Sequence, residues 1–308
     1  ARLSAGNSLQ DIEALIKYAH VYGVKVYITL NTILNDAELE TAQSLIYQLY
    51  AMGSDAIIIQ DMGILQIDLP PIALHASTQT NNRSLEKIRF LETAGFQRVI
   101  LARELSLHEI KGIRSQTKIE LEAFVHGALC VSYSGQCYMS QYACQRSANR
   151  GECAQFCRLP YTLYDSEKNI LLKDKHLLSL KDLDRSDALQ DMLDAGITSF
   201  KIEGRLKDVN YVKNITAFYR QKLDGILANH SEKYQSASSG KSIFYFTPNP
   251  VKTFHRGKIN YFLYEREDNI IQAETPKSMG EKIGQIGKVA FNYIELLETN
   301  QLHPGDGL

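Results

Sequence analysis

Residues 25–60 read KVYITLNTILNDAELETAQSLIYQLYAMGSDAIIIQ, and their pattern decides the fold class. Two short runs, KVYITL at Lys25–Leu30 and AIIIQ at Ala56–Gln60, are rich in Val and Ile. Between them DAELETAQSLIYQLYAMG has helical periodicity, an Asp cap and a Gly stop. A strand, a helix and a second strand in that order make a parallel βαβ unit. The alternation continues through IALHAS at Ile72–Ser77, RVILA at Arg98–Ala102, IELEAFV at Ile119–Val125 and SFKIEG at Ser199–Gly204. Ahead of the first run, SLQDIEALIKYAHVYG reads as a helix with a Ser cap and a terminal Gly. These six strands predict an α/β fold, a TIM-like (β/α) barrel whose first strand is missing before Ala1. An open doubly wound sheet fits less well, because no Gly-rich phosphate loop follows any strand.

Residues 1–230 are expected to form this barrel, with a Cys-rich insertion at about 127–160. HSEKYQSASSG supplies a linker at 231–241, and 242–308, with IFYF, INYFLY and KIGQIGKVAF, reads as the start of a small β domain. Both ends read as cuts: Ala1 is not a start methionine, and the terminal HPGDGL is a turn sequence that normally leads into another strand. The expectation is the middle of a longer protein.

Composition narrows the class. The chain has 308 residues, 44% apolar and 22% charged, which is globular rather than disordered. No run approaches the ~20 apolar residues of a membrane span, and no basic stretch followed by an apolar one opens the chain. A cytoplasmic protein without membrane contact is expected. A formal net charge of −1 excludes whole-surface attraction to a polyanion, so a nucleic-acid site must be a local patch.

In a barrel the chemistry sits where strands end. The residues there are polar: Asn31, Thr32, Gln60, Asp61, His75, Ser77, Gln79, Arg103, Glu104, Glu122, His126, Lys201, Glu203 and Arg205. Lys201 and Glu203 alternate along one strand and point the same way, and a charge on an inward face needs a partner or a task. All five cysteines lie within Cys130–Cys157. With no secretory features, clustered thiols indicate metal or redox chemistry rather than disulfides. Four thiolates satisfy an iron–sulfur cluster or a structural zinc ion equally, and spacing alone leaves both open, with unliganded thiols as a third reading. Arg146, Arg150 and Arg158 stand among the cysteines, with Lys173, Lys175, Lys181 and Arg185 soon after. They form a modest basic patch, and Tyr133, Tyr138, Tyr142 and Phe156 offer rings for stacking or for packing.

ELEAFVHGALCVSYSGQCYMS, HASTQT, ANRGECAQFCRLPYTLYD, SFKIEGRLKDVNYVKNITAFYRQ and KTFHRG resemble the collagenase-like peptidase family, the thirty-second of the peptidases of unknown mechanism. The likeness covers essentially the whole chain. It is nearest the branch that makes 5-hydroxycytidine in bacterial large-subunit ribosomal RNA. The resemblance implies a hydroxylase carrying an iron–sulfur cluster, of the [4Fe-4S] type, on Cys130, Cys137, Cys153 and Cys157, with Cys144 spare and prephenate as co-substrate. Where some relatives place a further Cys ligand, this chain has LLSLKDLD with Asp184. Glu122 and His126 are then candidates for acid–base work, Lys201 and Arg205 for binding the carboxylates of prephenate, and Glu203 for orienting them. His75, Gln79, Arg103, Arg146, Arg150 and Arg158 are candidates for substrate contact. The implied partners are ribosomal RNA or an assembly intermediate, and the iron–sulfur assembly machinery.

Two other functions compete. A peptidase could use a Cys130–His126 dyad, but ligation would consume that thiolate, and neither HExxH nor Gly-x-Ser-x-Gly occurs. A zinc-stabilised RNA- or protein-binding module would catalyse nothing.

Overall fold

The structure, a computed structural model, describes residues 6–299; the terminal HPGDGL lies outside them. All six expected strands form: β1 (Tyr27–Leu30), β2 (Ala56–Ile59), β3 (Ala73–Ala76), β4 (Arg98–Ile100), β5 (Glu120–Gly127) and a later strand, Ser199–Ile202. They lie side by side in that order, every pair parallel. The helices between them, α1 (Leu9–His20), α2 (Asp36–Ala51), α3 (Leu85–Thr93) and α4 (Leu107–Arg114), have the expected polar starts. Ser8 caps α1 by accepting from the Asp11 N–H at 3.1 Å. The cap of α2 is Asn35 rather than Asp36, and Glu38 accepts from its N–H at 2.7 Å.

The continuous apolar run AIII follows from burial on both faces. Ile57 and Ile59 join Ile46 and Leu49 of α2 in the larger apolar cluster, while Ile58 belongs to a second cluster with Ile100 and Phe124. That second set is the inner face, so Tyr27, His75, Arg98, Glu122 and Lys201, which share its alternation, point inward too.

After β5 come α5 (Met139–Cys144), an antiparallel hairpin of β6 (Tyr161–Tyr164) and β7 (Ile170–Lys175), then β8 (Asp182–Asp184), α6 (Leu189–Asp194), the Ser199–Ile202 strand as β9, and α7 (Val209–Asn229). β8 runs antiparallel to β5 and carries β10 (Lys258–Ile259) parallel on its other side. The architecture is mixed α/β with a mostly parallel eight-stranded sheet. Among the described residues the sheet does not close: β1 and β10 end its main path, and β9 pairs with β5 alone. The region expected as a separate β domain divides. Ile259, Tyr261 and Leu263 are buried with the main sheet, because their alternate apolar side chains fill its inner and outer clusters. Only β11 (Gly284–Val289) and β12 (Ile294–Thr299) form a small sheet of their own, and the IFYF stretch forms no strand.

Candidate functional site

The cysteine segment leaves the sheet at a strand end. β5 is irregular against β9 between Phe124 and His126, and Gly127 follows at φ +104°, where a Cβ would lie 2.6 Å from the Glu203 carbonyl oxygen. The chain then folds back over β3. Ser134 Oγ lies 3.2 Å from Thr78 Oγ1, and the Arg83 guanidinium sits 4.0 Å from the Tyr133 ring centre. Gly135, at φ +75°, packs directly on the Gln79 carbonyl.

Two arginines pin this segment from outside. Arg158 donates to the Leu129 and Leu180 carbonyls, each at 2.7 Å, and to Ser179 Oγ at 2.9 Å. Arg150 makes a two-pronged contact with Glu38 at 2.7 and 2.9 Å and also donates to the Ile33 carbonyl. Those bonds hold the Glu38 carboxyl down at about 2. Both arginines were candidates for substrate contact; the structure spends them on holding the loop, and leaves Arg146 exposed. Basic residues between cysteines show charge in the sequence but not direction.

No cysteine is in a disulfide. Burial pushes the Cys157 thiol above its ordinary value; Arg158 opposes the rise and the thiolates of Cys130, Cys153 and Cys137 add to it. Those three therefore lie within electrostatic reach of Cys157. Cys144 instead donates to the Ser140 carbonyl, 3.3 Å away. Among the described residues, no three His, Cys, Asp or Glu side chains approach closely enough to hold a single metal ion.

Glu122 and His126, read as an acid–base pair, belong to separate networks. They lie four residues apart on β5, on either side of the irregularity between Phe124 and His126, and His126 packs on Tyr211 and Tyr219 of α7, in the larger cluster. Glu122 is 4% exposed and accepts from Arg98 Nη1 at 3.1 Å, Ser199 Oγ at 2.8 Å and Lys201 Nζ at 3.1 Å. Burial would raise its pKa, but Lys201, Ser199 and Arg98 outweigh burial and hold the carboxyl below its ordinary value. Arg98 also binds Glu120 at 2.6 Å and lies 5.0 Å over the Tyr27 ring. His75 packs edge-on to Tyr27, and burial together with Arg98 pulls its pKa to about 4, so it is neutral at pH 7.

His126 sits at the strand's upper end, its Nδ1 3.3 Å from the Tyr219 hydroxyl and 3.9 Å from Asp184. Tyr219 donates to the Val125 carbonyl at 2.8 Å, and Asp184 pairs with Lys258 at 3.0 Å. Burial alone would raise Asp184; its contacts with His126 and Ser186 hold it far below the usual carboxylate range.

The trio read as one carboxylate-binding set is also divided. Lys201 belongs to Glu122. Glu203 faces Arg103 at 3.7 Å and accepts from the backbone N–H of Arg205, whose side chain is exposed. Sequence reasoning missed Arg98, Tyr27 and Tyr219. The charge opening the RVILA run was the available signal for Arg98; nothing local marks a tyrosine 93 residues from His126 as its partner.

The chain is thus a mostly parallel α/β protein with its five cysteines gathered past one strand end. The chain belongs to peptidase family U32, whose model matches residues 1–273. It is 52% identical over its whole length to "23S rRNA 5-hydroxycytidine C2501 synthase" of Escherichia coli (strain K12), covering 47% of that protein. It is 33% identical, over 74% of its own length and 56% of the other, to "tRNA hydroxylation protein P1" of Bacillus subtilis (strain 168). It is 32% identical to a "Collagenase" of Porphyromonas gingivalis over 99% of this chain and 77% of that one. The chain thus spans about half the length of the first two relatives. The solved U32 peptidase Mk0906 shares 12% identity over 56% of this chain and 73% of that one, at a TM-score of 0.36, a likeness that carries no weight.

Proposed function

We propose that this chain is the cluster-bearing part of an RNA hydroxylase that forms 5-hydroxycytidine in large-subunit ribosomal RNA. The observation that carries the reading is 52% identity along the whole chain to a protein named for that activity. The thiol arrangement supports it. A zinc ion binds thiolates at about 2.3 Å, so its ligands nearly touch, whereas an iron–sulfur cluster spreads them apart. Cys130, Cys137 and Cys153 each act electrostatically on Cys157, so four thiols gathered in one segment are available to such a cluster. The open sheet, on this reading, is part of a (β/α) barrel.

Carbon 5 of cytosine does not react with a bare hydroxyl, and a bound cluster supplies the electron chemistry that side chains lack. The chain's own residues do the rest. Arg158 fixes Leu129, next to Cys130, and Tyr219 with Asp184 orients the His126 ring at the mouth, where it can carry a proton. Glu122, saturated by three donors, holds the inner face together. Prephenate as co-substrate, action on ribosomal RNA or an assembly intermediate in the cytoplasm, and loading by the iron–sulfur assembly machinery all belong to this proposal.

The test is iron, sulfide and zinc content of the intact protein purified anaerobically, beside its Cys153→Ala variant, followed by mass spectrometry of ribosomal RNA from cells lacking the endogenous activity. Wild-type protein is expected to hold about four iron and four sulfide per chain, to lose them in the variant, and to restore 5-hydroxycytidine. Zinc alone, at about one per chain, would remove the redox mechanism and return the zinc-stabilised binding module.

A further inference from the structure

Buried polar atoms normally find partners, so those that do not are informative. Two sit at neighbouring strand ends. Gln60, just past β2, is 9% exposed, and its Oε1 has no partner; Gln79, just past β3, also has a buried Oε1 without one. Past β4, the Arg103 side chain is 13% exposed and lies flat on Phe124, 3.8 Å from the ring centre. Its nearest carboxylate, Glu203, is 3.7 Å away, too far for a hydrogen bond. The Arg103 guanidinium makes no hydrogen bond with any described residue; only its backbone carbonyl is used, accepting from Arg185 at 2.9 Å. The other large guanidiniums here behave differently. Arg98, Arg150, Arg158, Arg185 and Arg256 all spend theirs on carboxylates or carbonyls.

β2, β3 and β4 are consecutive neighbours, so the three side chains stand at one end of the sheet, across about 10 Å. These three side chains offer a cationic donor and two neutral acceptors, and Asn81 Oδ1, Arg83 Nε and Glu104 Oε2 of the adjoining turns are also buried without partners. A ligand bearing only carboxylates would satisfy the arginine and leave both amide oxygens unmatched. One bearing an anion at one end and an amino group at the other satisfies all three.

We propose that this mouth is a nucleotide subsite in which Arg103 takes the phosphate and Gln60 with Gln79 takes the exocyclic amino group of the base. The proposal rests on the RNA reading above and deepens it. The subsite favours a base with an amino group, cytosine or adenine, over uracil. The guanidinium's planar fork suits a phosphodiester, and amide oxygens left unpaired by the wrong base account for discrimination.

The test is anaerobic binding of the intact protein to a five-nucleotide RNA with a central cytidine, the same RNA with a central uridine, and malonate as an anion without a base. The cytidine RNA is expected to bind at least about fivefold tighter than the uridine RNA. Arg103→Met should weaken both at least about tenfold, and Arg103→Lys by less. Gln79→Leu should abolish the preference while leaving the uridine RNA nearly unchanged. Should Arg103→Met fail to fold, by circular dichroism, the Gln79→Leu arm decides alone. Equal binding of the two RNAs, unchanged binding in Arg103→Met, or malonate competing fully against the cytidine RNA would each overturn the proposal. Preference for cytidine in a protein that makes no hydroxycytidine would leave the subsite standing and remove the hydroxylase reading; hydroxylation unaffected by these variants would do the reverse.

Discussion

Gly135→Ala empties the thiol site while leaving the parallel sheet folded. At Gly135 the backbone has φ +75°, and a Cβ would overlap the Gln79 carbonyl oxygen and lie 2.9 Å from its carbon. A left-handed backbone costs an ordinary residue about 1–2 kcal/mol, but the overlap matters more. The atoms met are backbone atoms of the short helical turn after β3, fixed by the bond from Asn82 Nδ2 to the Ser77 carbonyl at 2.9 Å. They cannot swing aside as a flexible side chain would, so the loop must lift. Gly135 lies two residues before Cys137, and lifting it separates that thiol from Cys153 and Cys157, while Cys130 stays on their side through the Arg158 bond to the Leu129 carbonyl. Anaerobically purified Gly135→Ala should carry little of the wild-type iron while keeping its far-ultraviolet circular dichroism. Gly112→Ala is the control: it lies within α4, where a Cβ meets nothing within 4 Å, and should gain about 0.5–1 kcal/mol from helix propensity with iron unchanged. Wild-type iron in Gly135→Ala would mean that the loop is not held by this contact.

What could be read from the sequence follows from the physics of each element. The six parallel strands were legible because burial on both faces forces continuous apolar runs such as AIII, and the helices because their caps are local. β8 and β10 were not: Asp182–Asp184 and Lys258–Ile259 are short and polar at their ends, and their pairing is set by register across the sheet. The same division runs through the site. Five cysteines within Cys130–Cys157 mark a thiol centre by composition alone. Whether a charged residue works on a ligand or on its neighbours depends on contacts distant in sequence, and there the expectation was redirected. Arg150 and Arg158 hold backbone and Glu38, while the Arg103 guanidinium makes no hydrogen bond among the described residues. The left-handed conformation of Gly135 is demanded by one close approach to Gln79, which no local pattern marks.

Glu122 is the residue whose expected role changes most, and its replacement separates the two roles. As a general acid or base it would be dispensable for folding; as the centre of the inner network it is not. Glu122→Leu leaves Arg98 with Glu120 as its one charged partner, beside the Ser199 hydroxyl, and Lys201 without its carboxylate, both on a face closed by Tyr27 and Phe124. Removing one member of a buried ionic group costs about 3–5 kcal/mol; Arg98 keeps one partner and Lys201 is 28% exposed, so the lower end, about 3 kcal/mol, is expected in urea unfolding. The pH dependence gives the independent check. The folded carboxyl titrates below its ordinary value, so its contribution is fully present above the unfolded pKa and disappears as pH falls through the folded one. The stability gap between wild type and Glu122→Leu should therefore be constant near neutrality and narrow in acid. Pairing Glu122→Leu with Lys201→Met should recover part of the loss, since the stranded charge goes with its partner. A stable Glu122→Leu protein with intact iron but no hydroxylation would instead return Glu122 to the reaction itself.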